Sequence, residues 1–372
     1  MKNLKKLLAL FVTGMMLVFA AGCGGGGDTA SSGSGGDKAA SGGGKRIGVA
    51  MPTQSSQRWI QDGANMKEKL EKLGYTVDLQ YAEDDVQAQV SQIENMITNG
   101  ADCLVVAAID SSALVNALDQ AKSHNIPVIA YDRLLMDTDS VSYYATFDNK
   151  GVGTTIGKYV EKHLGLAEGK GPYNIEFFAG SPDDNNAHFL NAGVFEVLQP
   201  YIDKGQLVVP SGQTDFNTIC TLRWSQETAQ KRMEDIISGY YSQGKKLDVV
   251  ISPFDGISYG IAAALEGAGY QVGTNWPLIT GQDAELMATK NILSGKQTMT
   301  VFKDTRVLAD KCVTMVQAVL EGKQPEINDT KSYDNHKLVV PSYLCTPVAV
   351  DKSNVEKELI DSGYYKKSDV GL

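Results

Sequence analysis

Residues 86–133 read VQAQVSQIENMITNGADCLVVAAIDSSALVNALDQAKSHNIPVIAYDR, and this stretch decides the fold. Val86, Val90, Ile93 and Ile97 step by four, three and four, which lays one apolar stripe along a helix that Asn99-Gly100 ends. Cys103-Leu-Val-Val-Ala-Ala108 then runs apolar without alternation, as a strand buried on both faces does. Leu114, Val115, Leu118 and Ala121 mark the next helix face, and Pro127-Val-Ile-Ala-Tyr131 the next strand. Helix, strand, helix, strand with short loops predicts a parallel sheet covered on both sides.

The same grammar extends in both directions. Upstream, Arg46 to Met51 reads as a strand, Gln57 to Leu73 as a helix closed by Gly74, and Thr76 to Tyr81 as a strand. Downstream the pattern restarts. Strands are expected at Tyr173 to Phe178, Gln206 to Pro210, Leu247 to Ile251, Leu278 to Thr280 and Met299 to Phe302. Helices are expected at Ala187 to Leu198, Thr228 to Tyr240 and Ile257 to Leu265. The fold class is α/β, in two similar Rossmann-like halves.

Ligands in such sheets bind beyond the carboxyl ends of the strands. The residues following successive strands are Arg58 and Trp59, Asp132 and Arg133, Asn185 and Asn186, Arg223 and Trp224, Asp255, Asp283 and Lys303. Carboxylates only accept hydrogen bonds, Arg and Lys only donate, and amides do both. That mixture suits sugar hydroxyls, which donate and accept together, and two Trp rings suit the flat C–H faces of a pyranose. Each residue also has an ordinary reading. Asp132 and Asp255 could be helix caps, Asn185 and Asn186 could simply open a helix, and the Trp residues could be partly buried packing.

Other chemistries find less support. The loop Pro52-Thr-Gln-Ser-Ser56 lacks the glycines of a phosphate cradle. Asp183 and Asp184 are neighbours in sequence and so do not flank a glycosidic bond. Gly-x-Ser-x-Gly is absent, and the four histidines have no metal-ligand spacing. The reading is of a binding protein, not an enzyme, with no metal and no cofactor. A formal charge of −10 with no long basic run gives no basis for nucleic-acid binding.

The N-terminus bears on location. Lys2, Lys5 and Lys6 precede an apolar run, Leu7 to Ala21, and then small residues before Cys23. This is the order of a secretory signal with a lipoprotein cleavage site, although Ala20 stands where Leu is usual. Cys23 is therefore the expected lipidation site. Residues 24–44 hold 10 Gly, 4 Ser and 3 Ala, too little apolar surface to fold, and predict a flexible tether. Removing the three signal lysines takes the charge from −10 to −13. Among the remaining cysteines, Cys103 and Cys312 read as small core residues, and a Cys220–Cys345 disulfide is compatible with an exported protein.

Nine stretches carry a resemblance. They are Ser91-Gln-Ile-Glu-Asn-Met96, Ile129-Ala-Tyr-Asp-Arg133, Tyr144-Ala-Thr-Phe-Asp-Asn149, Gly180-Ser-Pro-Asp-Asp-Asn-Asn-Ala187, Thr221-Leu-Arg-Trp224, Ser252-Pro-Phe-Asp-Gly256, Gly281-Gln-Asp-Ala284, Phe302-Lys-Asp-Thr-Arg306 and Val339-Val-Pro-Ser-Tyr-Leu344. From about Lys45 onward the chain resembles the type I periplasmic monosaccharide-binding proteins of ABC importers, nearest to the multiple-sugar and xylose receptors.

The resemblance implies two lobes joined by three crossing strands with a sugar between them. One lobe would comprise 45–147 with 304–336 and the other 148–303 with 337–372, after a signal peptide (1–22) and a lipidated linker (23–44). It places ligand contacts at the strand-end residues named above. Lys303 stands where many relatives carry an amide, and Phe254 where some carry Asn. Both departures favour the multiple-sugar branch over the ribose branch. The implied partners are an aldose such as galactose, glucose, arabinose or xylose and an ABC permease, or alternatively a sensor kinase or chemoreceptor. The implied form is a monomer held outside the cytoplasm by its lipid.

Overall fold

A computed structural model describes residues 44–372. The expected signal peptide, the expected lipidation site Cys23 and the expected linker up to residue 43 lie outside the described residues. The first half alternates as expected: β1 (Arg46–Met51), α1 (Gln57–Lys72), β2 (Thr76–Tyr81), α2 (Val86–Thr98), β3 (Cys103–Val106), α3 (Val115–Ser123), β4 (Val128–Tyr131) and β5 (Tyr143–Phe147). The second half runs α4 (Asn149–Leu164), β6 (Tyr173–Phe177), α5 (Asn185–Asp203), β7 (Leu207–Val208), α6 (Phe216–Ile219), α7 (Gln226–Ile236), β8 (Val249–Ile251), α8 (Asp255–Gly267), β9 (Leu278–Ile279), α9 (Leu286–Ser294) and β10 (Met299–Phe302). The chain then returns through α10 (Thr305–Leu320), β11 (Ser342–Cys345), β12 (Val348–Asp351) and α11 (Lys367–Val370).

The first sheet is parallel throughout, in the order β11-β5-β4-β3-β1-β2. Side chains alternate across it. Ile47, Val49 and Met51 pack with Met66 and Leu70 of α1 and with Leu308 and Cys312 of α10. On the other face, Ala50, Leu104 and Val106 pack with Ile93 and Met96 of α2 and Leu118 of α3. Burial on both faces is why β3 reads as an unbroken apolar run.

The second sheet has the order β7-β6-β8-β9. A parallel bridge from Gln282 to Val301 brings β10 alongside it, and β12 pairs antiparallel with β10. Helices α4 and α5 cover one face and α7 and α8 the other. Helices α4 and α5 meet through glycines: a Cβ at Gly153 would fall 1.9 Å from the Leu190 carbonyl oxygen, and one at Gly193 would fall 2.2 Å from that of Lys150.

Three crossovers join the two layered lobes: Phe147 to Asn149, Phe302 to Thr305, and Cys345 to Val348. The last differs from the expected boundary after residue 336. Ser342–Cys345 pairs in register with Tyr144–Phe147, so this strand completes the edge of the first sheet and the crossover falls at Thr346-Pro347. The four described cysteines are free, with Cys220 in the second lobe and Cys345 in the first sheet.

Candidate functional site

The carboxyl ends of both sheets open onto one cavity of about 370 Å³, within the usual range for small-molecule sites, roughly 300–1,000 Å³. Both lobes line it. Arg58, Trp59, Asp132 and Arg133 come from the first, Asn186, Arg223, Trp224 and Asp283 from the second, and Lys303 from the crossover after β10. These are nine of the eleven positions expected from the sequence.

At the centre, two cations and two carboxylates form a closed ring. Arg58 Nη1 lies 3.0 Å from Asp132 Oδ2 and 3.5 Å from Asp283 Oδ1. Lys303 Nζ lies 3.7 Å from Asp132 Oδ2 and 3.1 Å from Asp283 Oδ1. All four side chains are buried. Arg58 is held from behind by Asp62, which accepts from its Nε at 2.9 Å and its Nη2 at 2.8 Å and also accepts from the Tyr131 hydroxyl. Burial pushes the Asp62 carboxyl up to about 6, with Arg58 and Tyr131 pulling the other way.

Burial also works against ionised Asp132, but Arg58, Lys303 and Arg133 outweigh it and hold the carboxyl below its ordinary range. Asp132 is therefore an ionised acceptor. Its buried Oδ2 is paired with Arg58 Nη1 at 3.0 Å and with Lys303 Nζ at 3.7 Å. An ionised carboxylate offers about four acceptor sites, so beside these cations Asp132 can still accept from a donor in the cavity.

The backbone is strained where it presents these groups. Asp132 (φ 58), Arg223 (φ 55), Trp224 (φ 54) and Asp283 (φ 94) all occupy positive φ, which non-glycine residues adopt only when the surroundings demand it.

The aromatic rings are supported by polar neighbours. Trp59 is 4% exposed, with the Arg58 guanidinium 4.4 Å and that of Arg133 5.1 Å from its ring centre. Trp224 donates from Nε1 to Asp184 Oδ2 at 3.2 Å and meets Phe254 edge-on at 6.1 Å. Its ring lies over Gly180, where a Cβ would fall 2.1 Å from Cη2.

Two expected contacts do not reach the cavity. Asp255, the first residue of α8, is fully buried. Its Oδ1 accepts from Gln297 Nε2 at 2.7 Å and Thr300 Oγ1 at 2.9 Å, and its Oδ2 accepts from the Glu285 amide at 2.9 Å. It holds the loop that carries Asp283 and Glu285. Burial, with Glu285 nearby, drives its carboxyl well above the usual range. Asn185 opens α5, half-buried, and does not line the cavity.

Asn186 lines the cavity but is largely engaged. It donates to the Asp132 carbonyl at 2.7 Å and accepts from Tyr144 Oη and Asn149 Nδ2, each at 3.0 Å.

Sequence reasoning missed Asp184, Asn149, Tyr259 and Glu285, which also line the site. Asp184 caps α5 and pairs with Arg133 at 3.0 Å. Its place immediately before a helix was a legible signal, whereas nothing local marks Glu285 or Tyr259.

The lobes meet twice in the same way. The turn after β4, Asp132-Arg133, bonds to the start of α5 in the other lobe. The turn after β9, Asp283 to Glu285, bonds to the start of α1 in the first lobe. This architecture defines a class: two α/β lobes of type I periplasmic binding protein fold, shut on a polar, aromatic-lined cleft.

Comparison with known proteins assigns the family. Residues 47–324 match the model of the periplasmic binding protein domain, and the chain belongs to that family. It is 53% identical to the multiple sugar-binding periplasmic receptor ChvE of Rhizobium radiobacter, over 86% of this chain and 90% of that one. It is 34% identical to the D-xylose-binding periplasmic protein of Escherichia coli (strain K12), over 87% of this chain and 92% of that one. Among solved structures, it matches an ABC transporter solute-binding protein from Clostridium phytofermentans with bound β-D-glucose. That match has a TM-score of 0.85 and 53% identity, and covers 88% of this chain and all of that one. The chain thus stands among binding proteins, not enzymes.

Proposed function

We propose that this protein is an extracytoplasmic receptor that captures an aldose, glucose among its ligands, between its lobes and delivers it to an ABC permease. The observation that carries this reading is the shared cleft: the ionised Asp132 carboxylate, the Arg58 and Lys303 cations beside it and the two tryptophans line one small cavity. Asp132 and Asp283 accept from ring hydroxyls, Arg58, Arg133, Arg223 and Lys303 donate to them, and Trp59 and Trp224 cover the apolar faces. Ligand that touches both lobes favours the closed state over the open one. The sugar-bound relative, at 53% identity, supports the ligand class.

The N-terminal pattern supports a lipid at Cys23, which keeps the receptor near its permease at high effective concentration. Cys23→Ser should release the protein from membranes.

The deciding test is thermal unfolding of residues 45–372 against galactose, glucose, arabinose, xylose, fucose and ribose. A sugar at about 100 times its Kd adds about 2.7 kcal/mol to the native state, a clear rise in Tm. A flat response to all six would refute the ligand class while leaving the fold intact.

A further inference from the structure

Helices α1 and α9 each lack a cap of their own. Ser56, at the N-cap of α1, accepts no bond from its helix, and neither does Glu285 at the N-cap of α9. Free amides at a helix start need acceptors. Each helix finds one on the other lobe. Glu285 Oε1 accepts from the Gln57 amide at 3.1 Å and the Ser56 hydroxyl at 3.0 Å. In return, Gln57 Oε1 accepts from the Leu286 amide at 2.9 Å.

Both partners are held in place from the second lobe. Tyr259 Oη donates to Glu285 Oε2 at 3.0 Å, and Gln57 Nε2 donates to Tyr365 Oη at 3.3 Å. The Tyr365 hydroxyl in turn donates to the Ala284 carbonyl at 3.0 Å. Gln57 is half-buried and does not line the cavity.

From this exchange we infer that Gln57 and Glu285 form a latch across the cleft, a pair of positioning residues that sets how readily the closed state forms and how long it holds ligand. The inference rests on the receptor reading but concerns bonds between protein groups alone. When the lobes part, both helix starts lose their acceptors to water together. The bonds are therefore specific to closure and add to whatever the ligand contributes. Their strength shifts the open–closed balance, and so the ligand off-rate, and a change at Gln57 does this without altering any group that lines the cavity.

The test uses the full chain with Gln57→Met, Glu285→Gln and both together. Small-angle scattering without ligand reads lobe opening, and stopped-flow Trp fluorescence with D-glucose reads on- and off-rates. Gln57→Met keeps length and bulk but loses the amide. It should make the unliganded protein more open and raise the off-rate about tenfold, leaving the on-rate and the unliganded Tm nearly unchanged. The double variant should be worse than either single one, because Gln57→Met removes only the acceptor of the Leu286 amide, whereas Glu285→Gln weakens the acceptor of the residue 57 amide and the Ser56 hydroxyl.

Unchanged scattering and off-rate in Gln57→Met would overturn the latch. So would a defect confined to Glu285→Gln, which would make Glu285 an ordinary ligand contact. If the unaltered protein ignores glucose, the sugar reading fails, and unliganded scattering still decides the latch.

Discussion

Asn186 of the second lobe donates to the backbone carbonyl of Asp132 in the first at 2.7 Å. That bond fixes Asp132 by its main chain, while its side chain pairs with Arg58 and Lys303 at the cavity. Asp132→Asn keeps the shape and tolerates the positive φ, but one oxygen becomes a donor facing Arg58 and Lys303. The expected result is a loss of sugar affinity of roughly ten- to a hundredfold, in line with about 1.5–3 kcal/mol for a hydrogen bond to a charged group. Calorimetric titration checks it, and the unliganded Tm should also fall, because buried Arg58 and Lys303 lose a paired carboxylate.

Gly180 is the floor beneath Trp224. Its φ is ordinary, so alanine is conformationally acceptable, but the new Cβ would sit 2.1 Å from the indole and the ring must shift. Gly180→Ala should weaken sugar binding about tenfold through the displaced ring, whose stacking contact is worth about a kcal/mol or more. A changed Trp emission spectrum without ligand would report the displacement. Unchanged emission and affinity would remove Trp224 from the site.

Asp62 gives the protein a pH signature. Its folded pKa, about 6, lies above the ordinary 3.8, so between those values the folded state holds more of this proton than the unfolded one. Asp62's contribution to stability is then full below about pH 4 and is lost as pH rises through 6. The loss is on the order of 2–3 kcal/mol. Asp62→Asn lacks it, so the stability gap between wild type and variant should narrow from pH 4 to pH 7. Urea unfolding at both pH values measures this, and a constant gap would contradict the assigned ionisation.

The α4–α5 contact tests the packing of the second lobe. Alanine at Gly153 would press on the Leu190 carbonyl, a backbone atom that cannot swing aside. Overpacking of this kind costs about 1–3 kcal/mol, read as a lower urea midpoint. Gly239→Ala, which meets nothing within 4 Å, is the control and should be neutral or slightly stabilising.

Much of the fold was legible because burial on two faces leaves a plain mark. β3 and β4 are unbroken apolar runs, and α2 shows its stripe. β5 and α4 were harder to read. Tyr143–Phe147 is short and mixes Tyr and Thr with Ala and Phe, and α4 carries three glycines, two of which (Gly153 and Gly157) make sense only against α5. β11 was assigned to the wrong lobe because its parallel partner, β5, lies about two hundred residues earlier, and pairing at that range leaves no local trace.

The sequence by itself determined the α/β alternation and the set of charged and aromatic residues delivered to the strand ends, since both follow from local pattern and chain order. Only the tertiary structure decided which of those residues face the cavity. Asp255 and Asp283 look alike in sequence, each an acid just past a strand. Gln297, Thr300 and the Glu285 amide hold Asp255 below the site, while Asp283 meets Arg58 from the opposite lobe. A carboxylate turns toward whichever donors surround it, and here those donors come from segments far apart in the chain.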